Sequence, residues 1–499
     1  MRSSSTRLAT RRGSVLAAVV VVVLLARAAF LSMPASPDEA GFLMVGGQWH
    51  ADGSSLYGDY WVDRPPLLIG IFRLAALTGG LLPLRLIGML AAAVTVVLCG
   101  LTAERVAGRR AAVVAAVVAG ALLVNPMVGA DRVNGELLGL PFVAAAMYAA
   151  VRAIEPRADA RWAVATGAAA AAALLVKQNL ADAVVFAVVL WAAWALRRDR
   201  TAPVRTLAAL LGRALLGGAV VGVIAVGWAA AHGTDPRALF DALYPFRLRA
   251  AEVLADEPSV TGAERAHELA MRAVLAGEVV LGLLVVVAAA VRRTPVALAA
   301  AAALLFGATS VVLGGSWWSH YLLQPVPAAA IGLGALAAAR PRVASVAAIA
   351  TGIAAAAAVV TLAPQQAVVD NAVRSGEAVA VVARPGDTVV NLWGRPDVVR
   401  ATGLSSPWDQ LWSLPVRTDD AQLADLLTLL AGPSRPTWVL EGRTPGEWRL
   451  PTARVNDQLS RHYREVGEAC GRRVWVRADA DRAAPPVPRC SGPVGTFLR

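Results

Sequence analysis

The sequence predicts a mainly α-helical protein that crosses a membrane many times and ends in a small α/β domain. Hydrophobic residues make up 57% of the 499 residues and charged residues only 16%, more apolar content than a soluble domain carries. Many apolar runs approach or reach the roughly 20 residues that cross a bilayer as a helix. After about Pro364 the composition becomes mixed and polar. An ordinary soluble enzyme is therefore excluded.

The formal net charge of +12 lies mostly in short basic clusters between the apolar runs, so it reports topology rather than a nucleic-acid partner. Loops rich in Arg and Lys stay on the cytoplasmic side of a membrane. If residues 67–83 were a full span, Arg109 and every later basic cluster would lie outside. If residues 65–83 instead form an interfacial or re-entrant helix pair, every cluster lies inside. We favour this second interpretation.

The resulting layout has about eleven spans, with the N-terminus inside and the C-terminus outside. The first apolar run is longer than the hydrophobic region of a signal peptide, which favours an uncleaved first span. The expected spans lie near residues 14–31, 86–103, 111–127, 136–152, 162–177, 180–196, 213–231, 271–291, 296–313, 321–339 and 343–362.

The chain divides into a membrane domain at 1–363 and an extracytoplasmic α/β domain at 364–499. Strand-like runs at 388–393, 437–441 and 473–477 alternate with helix-like stretches at 366–383, 419–430 and 455–466. A flexible tail begins at Pro485. Cys470 and Cys490 are expected to form a disulfide if the compartment is oxidising; the alternative is two free thiols.

The chemically unusual residues of the membrane domain collect in segments that this layout places on the outer face. In the first outer segment, Asp38 and Glu39 are adjacent carboxylates near the bilayer surface, where charge is costly unless it is hydrated, paired or used. One of them can act as a general base. The alternative is helix capping, with Asp38 as the N-cap and Glu39 in the first turn.

The same segment continues with Tyr57, Tyr60 and Arg64, followed by Pro65-Pro66. Aromatic side chains suit a membrane interface, and we also consider these tyrosines as substrate contacts. The prolines hold the chain extended and aim the Arg64 cation at the point where the loop returns to the membrane. Such a cation can bind a lipid phosphate. The alternative is a contact with an anionic headgroup.

Further polar candidates follow in the later outer segments. Lys177 is the only lysine, whereas the other 46 basic residues are arginines, which suggests that a compact ammonium matters at that place; the alternative is a snorkelling lysine. No zinc motif, glycine-rich phosphate loop or nucleic-acid module is visible in the sequence, and a divalent metal is not indicated. The additional substrate-binding candidates are Asp131, Arg132, Glu136, Gln178, His320 and Tyr321.

Together these motifs resemble the C-type (GT-C) membrane glycosyltransferases, in the branch of the protein O-mannosyltransferases and aminoarabinose transferases (glycosyltransferase family 39-like). The motifs are the Asp38-Glu39 pair, the Tyr-rich loop that ends in Arg64-Pro65-Pro66, the acidic second outer loop, and His320-Tyr321-Leu322-Leu323. Their order and their shared face carry the resemblance, over roughly residues 14–340.

The resemblance implies an enzyme that moves a sugar from a polyprenyl-phosphate carrier to an extracytoplasmic acceptor, with inversion at the anomeric carbon. The catalytic loop would be residues 32–66, with Asp38 as base and Glu39 beside it. Arg64 occupies the place of the family's basic residue that contacts the carrier phosphate. The expected partners are the lipid-linked sugar, the bilayer, and a cell-wall glycan, lipid or protein acceptor, with no other cofactor.

Two other functions remain open from the sequence alone. A secondary transporter would show repeated halves and broken polar helices near the membrane midplane, and neither is apparent in the sequence. A non-catalytic scaffold for envelope assembly would make Asp38, Arg64 and Lys177 individually dispensable. The expected location is the plasma membrane, with the active site on its extracytoplasmic face.

Overall fold

The structure is a computed structural model that describes residues 3–50, 55–198, 202–256, 260–442, 448 and 450–491. The side chains of residues 3–14 are not described, so the basic cluster between Arg2 and Arg12 lies outside the described part. Arg200 and the last eight residues of the expected tail also lie outside it. Within the described part the chain is a bundle of helices followed by a small α/β unit.

Each of the eleven expected spans coincides with helical structure. Short 3-10 helices also occur at Pro126–Val128 and Ser319–Leu323. The helices of the bundle are α1 (Ser3–Ala28), α2 (Pro37–Gly47), α3 (Pro66–Leu77), α4 (Leu81–Ala107), α5 (Arg109–Leu122), α6 (Gly135–Arg152), α7 (Arg161–Val176), α8 (Asp182–Arg198), α9 (Pro203–Ala231), α10 (Pro236–Leu243), α11 (Pro245–Asp256), α12 (Val260–Leu275), α13 (Glu278–Arg292), α14 (Pro295–Leu313), α15 (Val326–Ala337) and α16 (Pro341–Gln366).

Several of these helices have the length and hydropathy of membrane spans, so the chain is a multi-pass membrane protein. In the described residues five pass this test: α4, α6, α9, α14 and the stretch that begins at Pro341. The pair α12–α13, bent by 68° at residues 276–277, is a sixth candidate if it counts as one span. The expected total of about eleven spans and their orientation stay predictions.

The prediction of two short helices within residues 65–83 is wrong, because this stretch holds only one. One helix, α3, ends at Leu77, and α4 begins at Leu81. Gly79 and Gly80 make the turn between them with φ of +125° and +81°, values that favour glycine. Pro83 lies in the first turn of α4, where a missing N–H costs nothing. With 12 residues, α3 is about 18 Å long, too short to cross the roughly 30 Å hydrocarbon layer.

The bundle packs through small residues. A Cβ atom on Gly167 of α7 would lie 1.7 Å from the Ala214 carbonyl oxygen of α9, and one on Gly217 would lie 2.0 Å from the Val164 carbonyl oxygen. Only glycine therefore permits this approach of α7 and α9. Close backbone contact is how helices associate in a membrane, where burial from water supplies no driving force.

The C-terminal part contains a four-stranded mixed sheet in the order β1-β2-β4-β3. Strand β1 pairs with β2 in parallel, and the other two pairings are antiparallel. The strand β3 (Tyr463–Ala469) was not expected. Residues 455–466 were predicted as one helix-like stretch, but the helix α21 (Thr452–His462) ends within them and β3 follows. The strands are β1 (Val389–Leu392), β2 (Trp438–Glu441), β3 (Tyr463–Ala469) and β4 (Arg472–Arg477), and the helices are α17 (Asn371–Val382), α18 (Pro396–Thr402), α19 (Ser413–Asp419), α20 (Ala424–Ala431) and α21 (Thr452–His462).

The C-terminal part sits against the end of the bundle that carries α2. Its helix α18 packs on α2, and α19 packs on α11. Buried apolar side chains are continuous from the bundle into the sheet, where they include Val389 and Trp438. The sheet also has a core of its own around Leu426 and Trp475. The expected boundary at residue 363 falls inside α16, which continues to Gln366.

Candidate active site

A cavity of about 620 Å³ lies between the bundle and the C-terminal part. The four segments that the predicted layout places on the outer face (33–64, 129–135, 232–270 and 314–320) contribute to its wall, whereas the turn at residues 177–179, expected beside them, does not. The C-terminal part closes the opposite side with Trp393, Arg395, Trp412 and Arg472, among others. The segments predicted to share one face therefore do meet at one site.

Asp38 faces this cavity from the first turn of α2. Ser36, not Asp38, is the N-cap of the helix, because the Glu39 backbone N–H donates to the Ser36 hydroxyl. The Asp38 Oδ1 atom accepts a hydrogen bond from the Trp412 indole N–H at 3.1 Å. The capping function is thus taken by a neighbour, and the Asp38 carboxylate is presented to the cavity.

Glu39 points away from the cavity and is fully buried. Its carboxylate pairs with Arg85, with Nη2 and Oε2 at 3.1 Å, and accepts further hydrogen bonds from the backbone N–H groups of Ser36 and Val133. Arg85 also donates to the Met33 and Pro34 carbonyl oxygens. Both oxygens of Glu39 are therefore engaged in fixing the start of the loop that carries Asp38.

Two arginines share one carboxylate at the cavity wall. Arg64 Nη1 lies 2.6 Å from Asp63 Oδ1, and Arg247 of α11 contacts the other oxygen of the same carboxylate. The Tyr57 hydroxyl donates to the Arg64 carbonyl oxygen at 2.7 Å, which fixes the backbone of this residue. Two guanidinium groups against one carboxylate leave a net positive charge, as an anionic substrate group requires.

Glu136, Lys177, His320 and Tyr321 form a second polar cluster. Lys177 pairs with the buried Glu136, and its ammonium lies 4.6 Å from the centroid of the Tyr321 ring. His320 Nε2 lies 3.9 Å from the other oxygen of Glu136. His320 and Tyr321 line the cavity, whereas Glu136 and Lys177 do not. The sole lysine therefore stands behind the cavity wall, against a carboxylate.

Burial keeps the His320 imidazole, which lines the cavity, uncharged. It lowers the pKa of His320 below its ordinary value, although the Glu136 carboxylate raises it. At neutral pH the imidazole is therefore uncharged, and the Tyr321 phenol carries its proton, as a tyrosine does at this pH.

Asp131 and Arg132 also line the cavity, paired with Oδ2 and Nε at 3.1 Å. Arg132 also donates to the carbonyl oxygens of Pro34 and Gln366, so it joins the first outer loop to the end of α16. The structure brings this pair to the site that contains Asp38, as the sequence suggested.

Two of the remaining candidates lie outside the cavity wall. The Tyr60 hydroxyl is buried and accepts a hydrogen bond from the backbone N–H of Ser406 at 3.0 Å. The Gln178 side chain has buried amide atoms that lack a hydrogen-bond partner among the described residues. Tyr57, too, reaches the site only through the Arg64 backbone.

The sequence analysis missed the residues that later parts of the chain contribute. Arg247 and Arg265 come from the segment 232–270, and their positive charge in a predicted outer loop was the available signal; Arg272 lies just beyond it, at the start of the expected span 271–291. Trp393, Arg395, Trp412 and Arg472 come from the C-terminal part. No local pattern distinguishes these from surface residues. Among the described residues, no group of three or more His, Cys, Asp and Glu side chains could hold a metal ion.

Comparisons with known proteins agree with this picture. Residues 63–221 match the family model of the dolichyl-phosphate-mannose-protein mannosyltransferases. The crystal structure of ArnT from Cupriavidus metallidurans bound to undecaprenyl phosphate superposes with a TM-score of 0.65 at 16% identity, over 95% of this chain and 99% of that one. Its apo state gives 0.59 at 15% identity, over 94% and 98%. No protein of curated function matches the chain.

A mycobacterial arabinofuranosyltransferase, AftD, is also similar in structure, with a TM-score of 0.50 at 15% identity over 93% of this chain and 42% of that one. The resemblance first carried by Asp38, Arg64 and His320 is thereby confirmed at the level of fold and family signature. The chain has the fold of the C-type membrane glycosyltransferases and, over residues 63–221, the sequence signature of their mannosyltransferase family.

Proposed function

We propose that this protein transfers a sugar from a polyprenyl-phosphate carrier to a hydroxyl group of an extracytoplasmic acceptor, with Asp38 as general base. One observation carries the proposal. The Asp38 carboxylate and the Asp63–Arg64–Arg247 cluster face the same cavity, and Asp38 interacts electrostatically with both arginines. A base and a phosphate site in one enclosure are what this transfer needs.

The transfer forms one bond and breaks another at the anomeric carbon. The acceptor oxygen attacks this carbon while Asp38 takes the hydroxyl proton. The bond from the carbon to the phosphate oxygen breaks, and the polyprenyl phosphate leaves with the electron pair. Attack from the side opposite the phosphate inverts the anomeric configuration. The proton on Asp38 passes to water before the next cycle.

The arginines stabilise the leaving group. Negative charge develops on the phosphate as the bond to the sugar breaks, and cations held in place beforehand stabilise that charge most effectively. Arg64 and Arg247 are oriented by Asp63, so they need not reorganise. The neutral His320 and the protonated Tyr321 add uncharged donors at the same wall.

The proposal also covers the organisation of the molecule. The bundle, residues 1–363, binds the lipid-linked donor, and residues 364–499 cover the site from the extracytoplasmic side and receive the acceptor. The Arg-rich, Lys-poor composition is typical of a GC-rich bacterium. In such an organism we propose arabinose or mannose on a decaprenyl-phosphate carrier as the donor. A cell-wall glycan, a lipid or a protein can each present the hydroxyl group.

Mass spectrometry of the cell envelope, with and without this protein, tests the function. We expect one glycan to lose a single hexosyl or pentosyl residue in the cells that lack the protein, together with accumulation of the corresponding polyprenyl-phosphate sugar. An envelope with the same glycans and the same lipid-linked sugars in both strains would contradict the proposal.

A further inference from the structure

The segment of residues 405–413 crosses from β1 of the C-terminal part to the loop that carries Asp38. We call this segment the strap. Its Ser406 backbone N–H donates to the Tyr60 hydroxyl at 3.0 Å, and the Trp61 backbone N–H donates to the Asp409 carbonyl oxygen at 2.9 Å. The strap therefore holds the first outer loop at two points before it reaches the cavity.

At its end the strap places Trp412 directly on the catalytic turn. The Trp412 indole N–H donates to Asp38 Oδ1 at 3.1 Å, and the indole ring lies against the Phe42 ring with centroids 5.2 Å apart. A Cβ atom on Gly41 would come within 2.4 Å of the same ring. Gly41 thus leaves the space in which the indole lies flat on the first turns of α2.

Trp412 donates the hydrogen bond that orients the Asp38 carboxylate. In the described part of the chain no other donor bonds to this side chain, so Oδ2 remains for the acceptor hydroxyl. A carboxylate that acts as a base must be held within hydrogen-bond reach of the proton it removes. A donor on one oxygen fixes the rotation of the group and stabilises its charged form.

We infer that Trp412 is a positioning residue for Asp38 and that the C-terminal part thereby completes the active site rather than only covering it. This inference rests on the proposed function, since it assumes that Asp38 is the base. It implies that the membrane bundle without the C-terminal part would carry Asp38 but lack the donor that orients it. The hydrogen bond from the strap then links the C-terminal part to the catalytic step.

The variant Trp412→Phe tests the inference, because it keeps an aromatic ring and removes the N–H. Loss of a hydrogen bond to a charged group predicts a fall in kcat of about 10- to 100-fold. The KM for the lipid donor should stay unchanged, since the arginines that bind the phosphate are untouched.

The chain offers a matched control in the same strap. Trp408 is buried, and its indole N–H has no hydrogen-bond partner among the described residues. Trp408→Phe therefore removes an indole from the strap without touching Asp38, and we expect a near-normal kcat and an unchanged KM for the lipid donor. If Trp412→Phe does not fold, Gly41→Ala displaces the same indole, since its Cβ atom would come within 2.4 Å of the ring and 2.9 Å of Pro396 Cγ, while alanine keeps the helix propensity of α2.

The assay uses the full-length protein in membranes of a strain that lacks the native copy, so that the natural acceptor is present. Polyprenyl-phosphate mannose and polyprenyl-phosphate arabinose serve as donors, and released polyprenyl phosphate is measured by mass spectrometry. Binding of undecaprenyl phosphate alone reports whether each variant keeps the donor site.

The possible results distinguish the positioning role of Trp412 from the proposed sugar transfer. An inactive Asp38→Asn together with a Trp412→Phe that matches Trp408→Phe in kcat would overturn the positioning role and leave the proposed function standing. Near-normal turnover by Asp38→Asn would overturn Asp38 as the base, and with it both the proposed function and the inference. A selective loss in Trp412→Phe, with undecaprenyl phosphate still bound, supports both.

Discussion

Adjacent carboxylates at the start of α2 serve different purposes because neighbouring residues of a helix point about 100° apart. Glu39 is buried against Arg85 and closes the cap on Ser36. Asp38 faces the cavity, where Trp412 is its hydrogen-bond donor. The sequence identifies the pair as unusual, but it does not show which member acts, since that depends on Arg85, which lies 46 residues further along the chain.

Arg64 is a second residue whose role can be separated from folding. We expect Arg64→Ala to raise the KM for the polyprenyl-phosphate donor by about tenfold, because a charge-assisted contact to the phosphate is lost. The effect on the acceptor should be smaller. Donor titrations in the membrane assay measure this directly.

Arg109 offers a matched control for this substitution. It begins α5, at the opposite end of α4 from the cavity, so Arg109→Ala should leave donor dependence unchanged. Equal KM values for Arg64→Ala and the unmodified protein would count against a phosphate contact.

At the scale of the elements, the apolar runs predict the helices well because length and hydropathy decide them locally. The failures occur where tertiary contacts decide. β3 follows α21 with no turn residue between them, and it becomes a strand because it pairs with β4. The break at residues 276–277 is an exception, because Gly277, with φ of +82°, is a local signal for a turn. Pro83 appeared to end an element, yet it lies in the first turn of α4.

The carboxyl group of Asp387, just before β1, joins β2 to the segment that follows β4. It accepts hydrogen bonds from Trp438 of β2 and from Arg482 beyond β4. Burial alone would raise its pKa, but hydrogen bonds from Arg482, the Arg384 backbone and Trp438 outweigh burial and lower the pKa to about 2. The ionised group therefore stabilises the folded sheet.

This lowered pKa predicts a defined pH dependence. We expect Asp387→Asn to lower the Tm of the C-terminal part by a few degrees at neutral pH. The native contribution is complete above the unfolded pKa, near 3.8, and disappears as the pH falls towards about 2, so the difference in Tm should shrink over that range. Tryptophan fluorescence during thermal unfolding of the full chain measures it.

Asp479 provides the comparison, because it is exposed and pairs only at the surface with Arg477. Asp479→Asn should leave the Tm nearly unchanged. A difference between Asp387→Asn and the native protein that persists undiminished at pH 2 would rule out this explanation.

At the scale of the whole molecule, the distribution of arginines predicted that four separate segments meet at one face, and they do meet around one cavity. The contribution of the C-terminal part to that cavity could not be predicted. Trp412 lies 374 residues from Asp38, and nothing near Trp412 in the sequence marks it as part of a site. Which side of the membrane the cavity faces stays a prediction.

Cysteine chemistry tests this sidedness. In the structure Cys470 and Cys490 are bonded, with Cα atoms 5.5 Å apart, and an oxidising extracytoplasmic compartment preserves such a bond. We expect peptide mass spectrometry without reduction, after alkylation of intact cells, to find these two residues linked. Cys99 is a buried free thiol in α4, so it should react only after denaturation. A Cys470 that is alkylated in intact cells by a membrane-permeant reagent but not by an impermeant one would contradict the predicted orientation.

The central claim, that Asp38 is the base of a sugar transfer, is tested most directly by envelope glycan mass spectrometry in a strain whose only copy carries Asp38→Asn. Asp59→Asn in the same loop is the control, since Asp59 is exposed and does not line the cavity. We predict that Asp38→Asn reproduces the glycan loss of the deletion strain at normal protein levels, with transfer reduced at least about 100-fold, while Asp59→Asn restores the glycan. A complete glycan with Asp38→Asn would contradict the claim.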